Sequence, residues 1–298
     1  MTRVSAPCHS SWGSAEIVLK FLSILPLPAL YLVFGAAASL ARIFGWRRGF
    51  VRMGLERCLP EATEAERGRV ASEFYSYLGE LVAESVHGMR ISQDDLVNRL
   101  RFENAEVVEE TLRGGKRVLL LAAHHCNWEW LVLRCSTAFG VPLVAAFKPA
   151  GSERANRELT AMRSRFGAVM VTAKQVVNHV VGQRGAVKLL ALVADQSPAA
   201  KSEQQQWVSF FGTETAFFAG PGWISARMGY QPVFIEMRRE SKGRYVARFV
   251  PLLAPGERSD PRLTLEAYVR AVESAVRRQP ARYFWAYNRW KRTRGVYD

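Results

Sequence analysis

The chain has 298 residues, with 41 Lys and Arg against 27 Asp and Glu, and therefore a formal net charge of +14. This length allows a sizeable core, and a hydrophobic content of 49% excludes a disordered or low-complexity protein. Four cysteines without a C-x-x-C pair weigh against a zinc ribbon or a disulfide framework. The positive charge favours acidic partners, namely nucleic acid, anionic lipid or an acidic carrier protein.

The first element is a stretch without charged side chains at residues 21–41. About 20 apolar residues are what a helix needs to cross a bilayer, but Pro26 and Pro28 interrupt its first turns. A cleaved signal peptide, a buried core helix and a membrane anchor or interfacial helix are the three interpretations. Arg residues directly after the stretch favour the third, because they can pair with lipid phosphates on the cytoplasmic side. We therefore predict a membrane-associating segment over residues 1–60 and a second domain over residues 61–298.

Helical signals follow this segment. Thr63 and Glu66 have the spacing of a capping box, and apolar residues then recur at helical spacing as far as Met89. A second helix is predicted over residues 103–112, where Gly114 and the glycine after it end the pattern.

Short apolar runs, typical of buried strands, recur along the rest of the chain. They lie at residues 118–123, 142–147, 168–172, 189–194 and 232–236, and an alternating run at 245–250 predicts an edge strand. Helical patterns lie between several of these runs, at residues 128–135, 153–166 and 221–228, and a late helix over 265–276 ends before Pro280. Strands that alternate with helices predict an α/β fold with a mixed, largely parallel central sheet flanked by helices.

The chemically informative segment is His124-His125-Cys126-Asn127-Trp128-Glu129, where a predicted buried strand ends and a helix begins. With His124 at the strand end and Glu129 in the first helical turn, the two side chains can face each other. A carboxylate that accepts a hydrogen bond from one imidazole nitrogen leaves the other nitrogen free as a general base. A packed core histidine, a metal site without HExxH spacing and a thiolate pathway through Cys126 are the alternatives.

This segment resembles the HxxNWE form of the H-x4-D/E motif of the lysophospholipid acyltransferase superfamily, specifically its bacterial lipid A biosynthesis (late acyltransferase) branch. Other segments are similar in the same order, so the resemblance covers nearly the whole chain. They are the Leu/Pro-rich leader at 22–32, the segment 52–60, the RSRFG block at 163–167, Ala194-Asp195-Gln196, the FFG and GP blocks at 210–212 and 219–221, and the closing segment 285–291.

The resemblance implies acyl transfer from a thioester to a hydroxyl group, with His124 as general base and Glu129 as the carboxylate that orients it. It implies Arg165 as a third catalytic residue. The residues that it implies for substrate binding are Asn127, Lys148, Arg163, Asp195, Gln196 and Gly220. No metal and no cofactor other than the acyl thioester is expected.

The expected donor is an acyl carrier protein or acyl-CoA, and the expected acceptor is an anionic lipid of the lipid A type at the cytoplasmic face of the cell inner membrane. An ornithine lipid, a lysophospholipid or a secondary-metabolite alcohol is the alternative acceptor. Nucleic acid is not expected as a partner, because the basic residues are spread over the chain and no nucleic-acid-binding module is recognisable.

Overall fold

The computed structural model describes residues 21–149, 152–183, 185–198, 204–254 and 257–292. The part of the predicted N-terminal segment before residue 21 lies outside the described residues.

A seven-stranded sheet forms the centre of the molecule, with the strand order β1-β9-β8-β2-β5-β3-β4. Strands β8 and β9 are antiparallel, and all other neighbouring pairs in this sheet are parallel. The mixed, largely parallel sheet expected from the sequence is therefore confirmed. The strands are β1 (Leu100–Phe102), β2 (Arg117–Ala122), β3 (Leu143–Phe147), β4 (Val169–Thr172), β5 (Leu189–Val193), β6 (Gln205–Phe210), β7 (Thr213–Phe218), β8 (Tyr230–Ser241) and β9 (Arg244–Pro251), of which β6 and β7 form a separate hairpin.

Helices cover both faces of the sheet. Alternate residues of β2 belong to two different core clusters: Leu120 packs in the cluster of Trp130, whereas Leu119 packs in the cluster of Tyr268. Successive side chains of a strand point to opposite faces, so each cluster lies on its own side of the sheet. The helices are α1 (Leu27–Ile43), α2 (Arg48–Cys58), α3 (Glu64–Gly88), α4 (Gln93–Arg99), α5 (Glu106–Arg113), α6 (Trp128–Ala138), α7 (Glu153–Arg163), α8 (Val176–Gly182), α9 (Gly220–Met228) and α10 (Pro261–Arg278).

The alternating strand predicted at the edge of the sheet is an inner strand. β9 pairs with β8 on one side and with the three-residue strand β1 on the other. β1 occupies the edge instead, and with only three residues it carries no periodicity that the sequence could have revealed. The prediction of an edge position for residues 245–250 is therefore wrong.

The N-terminal helices rest on the α/β core. Helix α2 contributes Val51, Leu55 and Cys58 to the core cluster that also contains Leu119 of β2. The division of the chain at residue 60 stays a prediction. In the part of the chain that the structure describes, no single helix passes a test of length and hydropathy for crossing a membrane, whereas α1 and α2 pass it together with a bend of 86° between them.

Helix α1 approaches α3 closely at a glycine. A Cβ added to Gly79 would lie 2.7 Å from the carbonyl oxygen of Phe34 and 3.0 Å from the Cβ of Ala38. The first of these neighbours is backbone, so it can move only if the whole of α1 moves. The close contact between the two helices therefore depends on Gly79.

We expect Gly79→Ala to lower the free energy of unfolding by about 1–3 kcal/mol, the usual cost of overpacking. Gly68→Ala is the matched control: it lies at an exposed position of the same helix, has no atom within 4 Å of an added Cβ, and should gain up to about 1 kcal/mol of helix propensity. Urea unfolding followed by circular dichroism measures both. Equal stability of the two variants would contradict the close packing of α1 on α3.

Candidate active site

The candidate site lies at the carboxyl edge of the sheet, where β2 and β5 end side by side. The parallel register pairs Ala122 with Val193, and the amide of Ala194 donates to the carbonyl of Ala122. Two residues beyond the end of each strand, this register brings His124 opposite Asp195. Clefts beyond the carboxyl ends of parallel strands are where α/β proteins commonly bind ligands.

His124 and Asp195 make two hydrogen bonds. The imidazole Nδ1 lies 2.6 Å from Oδ1 of Asp195, and the backbone N–H of His124 donates to Oδ2 at 3.1 Å. A carboxylate only accepts hydrogen bonds, so Nδ1 carries the proton and Nε2 presents a lone pair. The Gln196 amide donates to Nε2 at 3.2 Å. The His124 side chain is 19% exposed and that of Asp195 only 2%, so the imidazole is reachable while its partner is enclosed.

The Asp195 carboxyl is held ionised. Burial opposes ionisation, but Coulombic attraction to His124 and the two hydrogen bonds from it outweigh burial, and the hydroxyl of Tyr283 adds another hydrogen bond. The pKa of Asp195 therefore lies below its ordinary value of 3.8. An ionised partner of this kind fixes the imidazole tautomer and stabilises an imidazolium.

This lowered pKa predicts a pH dependence of stability. Since the unfolded chain binds a proton at Asp195 more readily than the folded chain, its contribution is complete above the ordinary pKa and is lost as the pH falls below it. We expect the difference in unfolding free energy between the native protein and Asp195→Asn to shrink from about pH 6 to about pH 3. Denaturant unfolding at a series of pH values measures it, and a difference that grows on acidification would contradict the assignment.

The carboxylate predicted to orient His124 has other partners. Glu129 accepts two hydrogen bonds from Arg163, at 2.7 Å from Nε and 2.5 Å from Nη2, and a third from the indole of Trp128 at 3.0 Å. Asp195 occupies the position at Nδ1 of His124, and Gln196 that at Nε2. The predicted hydrogen bond between His124 and Glu129 is therefore wrong, because β5 delivers a closer carboxylate than the helix does.

Glu129 nevertheless borders the site. The Trp128 ring that donates to it also packs edge-to-face on the imidazole of His124, with 5.0 Å between ring centroids. Trp128 thus contacts both the carboxylate of the Glu129–Arg163 ion pair and the imidazole of His124.

The side chains of the two arginines of the RSRFG block bind different parts of the protein. Arg163 joins Glu129, whereas Arg165 donates from Nη1 to the carbonyl oxygens of Gly88 at 2.7 Å and Ile91 at 3.1 Å. Arg165, which the resemblance implied as catalytic, thus contacts the end of α3, and Arg163, which it implied as substrate-binding, contacts the border of the site.

Asn127 caps the start of α6 and is enclosed by protein. Its Oδ1 accepts from the backbone of Trp130 at 2.9 Å, and its Nδ2 donates to Glu84 at 2.7 Å. The residue is fully buried and both ends of its amide are used, so the structure gives no support to the predicted role in substrate binding. Its N-cap position explains why α6 begins at this point.

Glu84 is a site-supporting residue that sequence reasoning missed. This fully buried carboxylate also accepts from the hydroxyls of Tyr31 at 2.9 Å and Tyr245 at 2.7 Å, and so joins α1, α3, β9 and the loop after β2. Burial raises its pKa, although these hydrogen bonds oppose the effect. The available signal was position: Glu84 follows Leu81 by three residues on the apolar face of α3.

His125 and Cys126 face the interior. His125 is buried, its Nε2 lies 3.1 Å from the carbonyl oxygen of Gln279, and burial lowers its pKa to about 4, so it is neutral. Burial raises the pKa of the Cys126 thiol, whose Sγ lies 3.4 Å from the carbonyl oxygen of Met237. A neutral, enclosed thiol is a poor nucleophile, so the thiolate alternative loses support.

Cys126→Ala should therefore keep kcat within about threefold of the native value, since no covalent step through this thiol is expected. Thioester turnover by the purified variant measures this. Cys135→Ala, which removes another fully buried thiol whose pKa burial raises to about 12, is the matched control for loss of packing. Loss of turnover in the first variant alone would restore the thiolate pathway.

The closing segment lies along the site loop. The backbone N–H of Phe284 donates to the carbonyl oxygen of His124 at 2.9 Å, and the backbone N–H of Cys126 donates to the carbonyl oxygen of Arg282 at 3.0 Å. The Phe284 ring also packs on Trp128. The backbone of the HHCNWE loop is thus fixed by residues more than 150 positions away.

Two predicted site residues remain, Lys148 and Gly220. Lys148 is exposed and follows β3, the neighbour of β5 in the sheet, and Gly220 begins α9 after the β6–β7 hairpin. The hydrogen bonds described for His124 involve neither of them. Among the described residues, no three His, Cys, Asp or Glu side chains form a group that could hold a metal ion.

Comparison with known proteins decides the family. The model of the bacterial lipid A biosynthesis acyltransferase family matches residues 10–292. The chain belongs to this family. Its membership makes the protein an acyltransferase and confirms the family expected from the sequence.

Three relatives are similar over most of their length. The lipid A biosynthesis acyltransferase of Haemophilus influenzae is 22% identical, covering 95% of this chain and 91% of the relative. The lipid A biosynthesis palmitoleoyltransferase of Escherichia coli K12 is 22% identical, covering 90% of this chain and 86% of the relative. The lipid A biosynthesis lauroyltransferase of the same organism is 23% identical, covering 94% of this chain and 91% of the relative.

Proposed function

We propose that this acyltransferase moves a fatty acyl chain from a thioester, carried by acyl carrier protein or coenzyme A, to a hydroxyl group of a lipid A-type glycolipid precursor at the cytoplasmic face of the inner membrane. The His124–Asp195 pair at the carboxyl edge of the sheet supports this function most directly. Asp195 holds the imidazole of His124 in one tautomer, and the other ring nitrogen, Nε2, belongs to a partly exposed side chain in a protein of this family.

In the proposed reaction, Nε2 of His124 takes the proton of the acceptor hydroxyl while its oxygen attacks the thioester carbonyl carbon. The carbon–sulfur bond then breaks, and the imidazolium returns the proton to the leaving thiol. The products are an ester and a free thiol, so no acyl-enzyme intermediate is required. Positioned general-base catalysis of this kind contributes roughly 10²–10⁴-fold.

Asp195 and Gln196 have distinct proposed roles. Asp195 keeps the proton on Nδ1 and stabilises the positive charge that develops on His124. Gln196 holds the place of the acceptor hydroxyl at Nε2, and its amide moves aside when the acceptor binds. Backbone N–H groups in the first turn of α6, close to His124 in the chain, are the proposed donors to the tetrahedral oxyanion.

An exposed apolar surface supports the proposed membrane association. Helix α1 and the turn after it leave large apolar side chains in solvent, among them Leu32 at 77% and Phe44 at 82% exposure, with Trp46 and two arginines adjoining. Large contiguous apolar patches are unusual on soluble monomers, and a rim of Trp and Arg is typical of the bilayer interface. The patch comprises Phe21, Ile24, Leu32, Val33, Leu40, Ile43, Phe44 and Trp46, with Arg47 and Arg48 beside it.

The reaction is tested with purified protein and one acceptor at a time. Acyl carrier protein and coenzyme A thioesters of the same chain are offered in parallel, and free thiol and product mass are measured. We expect thiol release that depends on a glycolipid acceptor, a product heavier by one acyl group, and neither result with His124→Ala. If only an ornithine lipid, a lysophospholipid or a metabolite alcohol is acylated, that compound is the acceptor of the same reaction, and the glycolipid proposal is overturned.

A further inference from the structure

A cavity lies at the junction of the N-terminal segment with the end of α3, and His124 is not among its lining residues. Its volume is about 450 Å³, and its lining consists of Ser23, Met89, Arg90 and Arg165. Two of its four lining residues are arginines and none is acidic. Arg165 comes from the loop after α7, whereas Ser23 precedes α1, so three separate parts of the chain converge here.

Both guanidinium groups are anchored by bonds that leave other N–H groups free to bind a ligand. Arg165 uses Nη1 for two backbone carbonyls, and Arg90 uses Nε for the hydroxyl of Ser23 at 3.1 Å. Each guanidinium carries five N–H donors in all, so these bonds do not use all of them. Within the described part of the chain neither arginine has a salt bridge to an acidic side chain, although the molecule forms several such pairs elsewhere.

The two charges affect each other. Burial lowers the pKa of Arg165, and Coulombic repulsion from Arg90 lowers it further. Two cations that line one cavity repel each other, and an anion between them removes this repulsion. A planar guanidinium with parallel N–H groups matches phosphate oxygens in particular.

The surroundings indicate that the anion belongs to a lipid. Phe21 and Ile24, on either side of the buried Ser23, are 68% and 63% exposed and continue into the apolar patch of α1. Cationic groups next to exposed apolar side chains suit the boundary between headgroups and acyl chains. Arg165 also follows, by two residues, the arginine that pairs with Glu129 at the border of the active site.

We propose that this cavity binds the phosphate group of an anionic lipid between Arg90 and Arg165. The inference deepens the proposed function, on which it rests, because it names the group by which a lipid is held while its hydroxyl reacts or while the enzyme sits on the bilayer. The phosphate can belong to the acceptor or to a bilayer phospholipid, and the two sources give different results.

The test uses the full chain with Arg90→Gln, Arg165→Gln and the control Arg113→Gln, which removes an exposed positive charge at the end of α5. The acceptor arm compares kcat/KM for the glycolipid before and after phosphatase treatment. The bilayer arm measures sedimentation with phosphatidylcholine vesicles, with and without phosphatidic acid. Hydrogen bonds to charged groups predict a roughly tenfold to hundredfold loss in one arm for the cavity variants only.

A reduced preference for the phosphorylated acceptor identifies the acceptor as the source, and reduced binding to phosphatidic acid vesicles identifies the bilayer. If neither cavity variant differs from Arg113→Gln in either arm, the proposal is overturned. Arg90→Gln keeps the bonds of Arg165 to the end of α3, so it remains informative if Arg165→Gln is unstable. Vesicle binding needs no turnover, and this separates failure of the phosphate site from failure of the proposed acyl transfer.

Discussion

Asp195→Asn should lower kcat by about 10²–10⁴-fold while the protein remains folded. An asparagine amide can donate to Nδ1 of His124, which favours the tautomer with the proton on Nε2. That nitrogen could then no longer accept the proton of the acceptor hydroxyl. Turnover at saturating thioester and acceptor measures the loss, and Asp94→Asn, which neutralises an exposed carboxylate in the first turn of α4, serves as the control.

Glu129→Gln is the decisive comparison. Glu129 accepts hydrogen bonds from Trp128 and Arg163 and makes none with His124, so this variant should lose clearly less kcat than Asp195→Asn. An equal or greater loss in a folded Glu129→Gln protein would return the orienting role to Glu129.

Arg163→Met should lower the free energy of unfolding by about 3 kcal/mol. The Glu129 side chain is only 7% exposed, so removal of its bidentate partner leaves a carboxylate without compensation in a poorly solvated place. Arg163 itself is 17% exposed, which puts the expected loss at the lower end of the range for buried pairs.

Two further variants separate burial from mere loss of charge. Arg101→Met breaks the exposed pair with Glu240 and should cost less than about 1 kcal/mol. The double variant Arg163→Met with Glu129→Leu removes both charges and should regain most of the lost stability. Urea unfolding measures all of them, and a double variant no more stable than Arg163→Met would contradict a role for the unpaired carboxylate.

The elements that the sequence predicted well are those with long local patterns. The capping box of Thr63 is present with both of its reciprocal hydrogen bonds, and the apolar run before His124 is a strand buried on both faces. The β6–β7 hairpin was missed, although Phe211 and Gly212 form its two-residue turn and both have positive φ. Aromatic residues in these strands resemble any core segment, and a Phe-Gly turn is a weaker signal than Asn-Gly.

In the candidate site, too, the sequence predicted what depends on local patterns and missed what depends on distant contacts. Its place after an apolar strand indicated His124, and the family resemblance indicated Asp195 and Gln196, but His124 was assigned the wrong carboxylate. A pattern along the chain compares residues a few positions apart, and so it selects Glu129, whereas Asp195 lies 71 positions away. The placement of Arg163 and Arg165 was likewise beyond reach, because Arg163 ends α7 and pairs with Glu129, whereas Arg165 lies in the loop after it and contacts the end of α3.

The sequence by itself determined the α/β fold, the family and the histidine at the end of β2, since each depends on local periodicity or on a continuous motif. Only the tertiary structure decided which carboxylate holds that histidine, which arginine borders the site and which lines the cavity beside Arg90. The reason is physical: these contacts follow from the order of strands in the sheet and from the packing of α1 and α3, and packing between distant segments leaves no periodic mark in the chain.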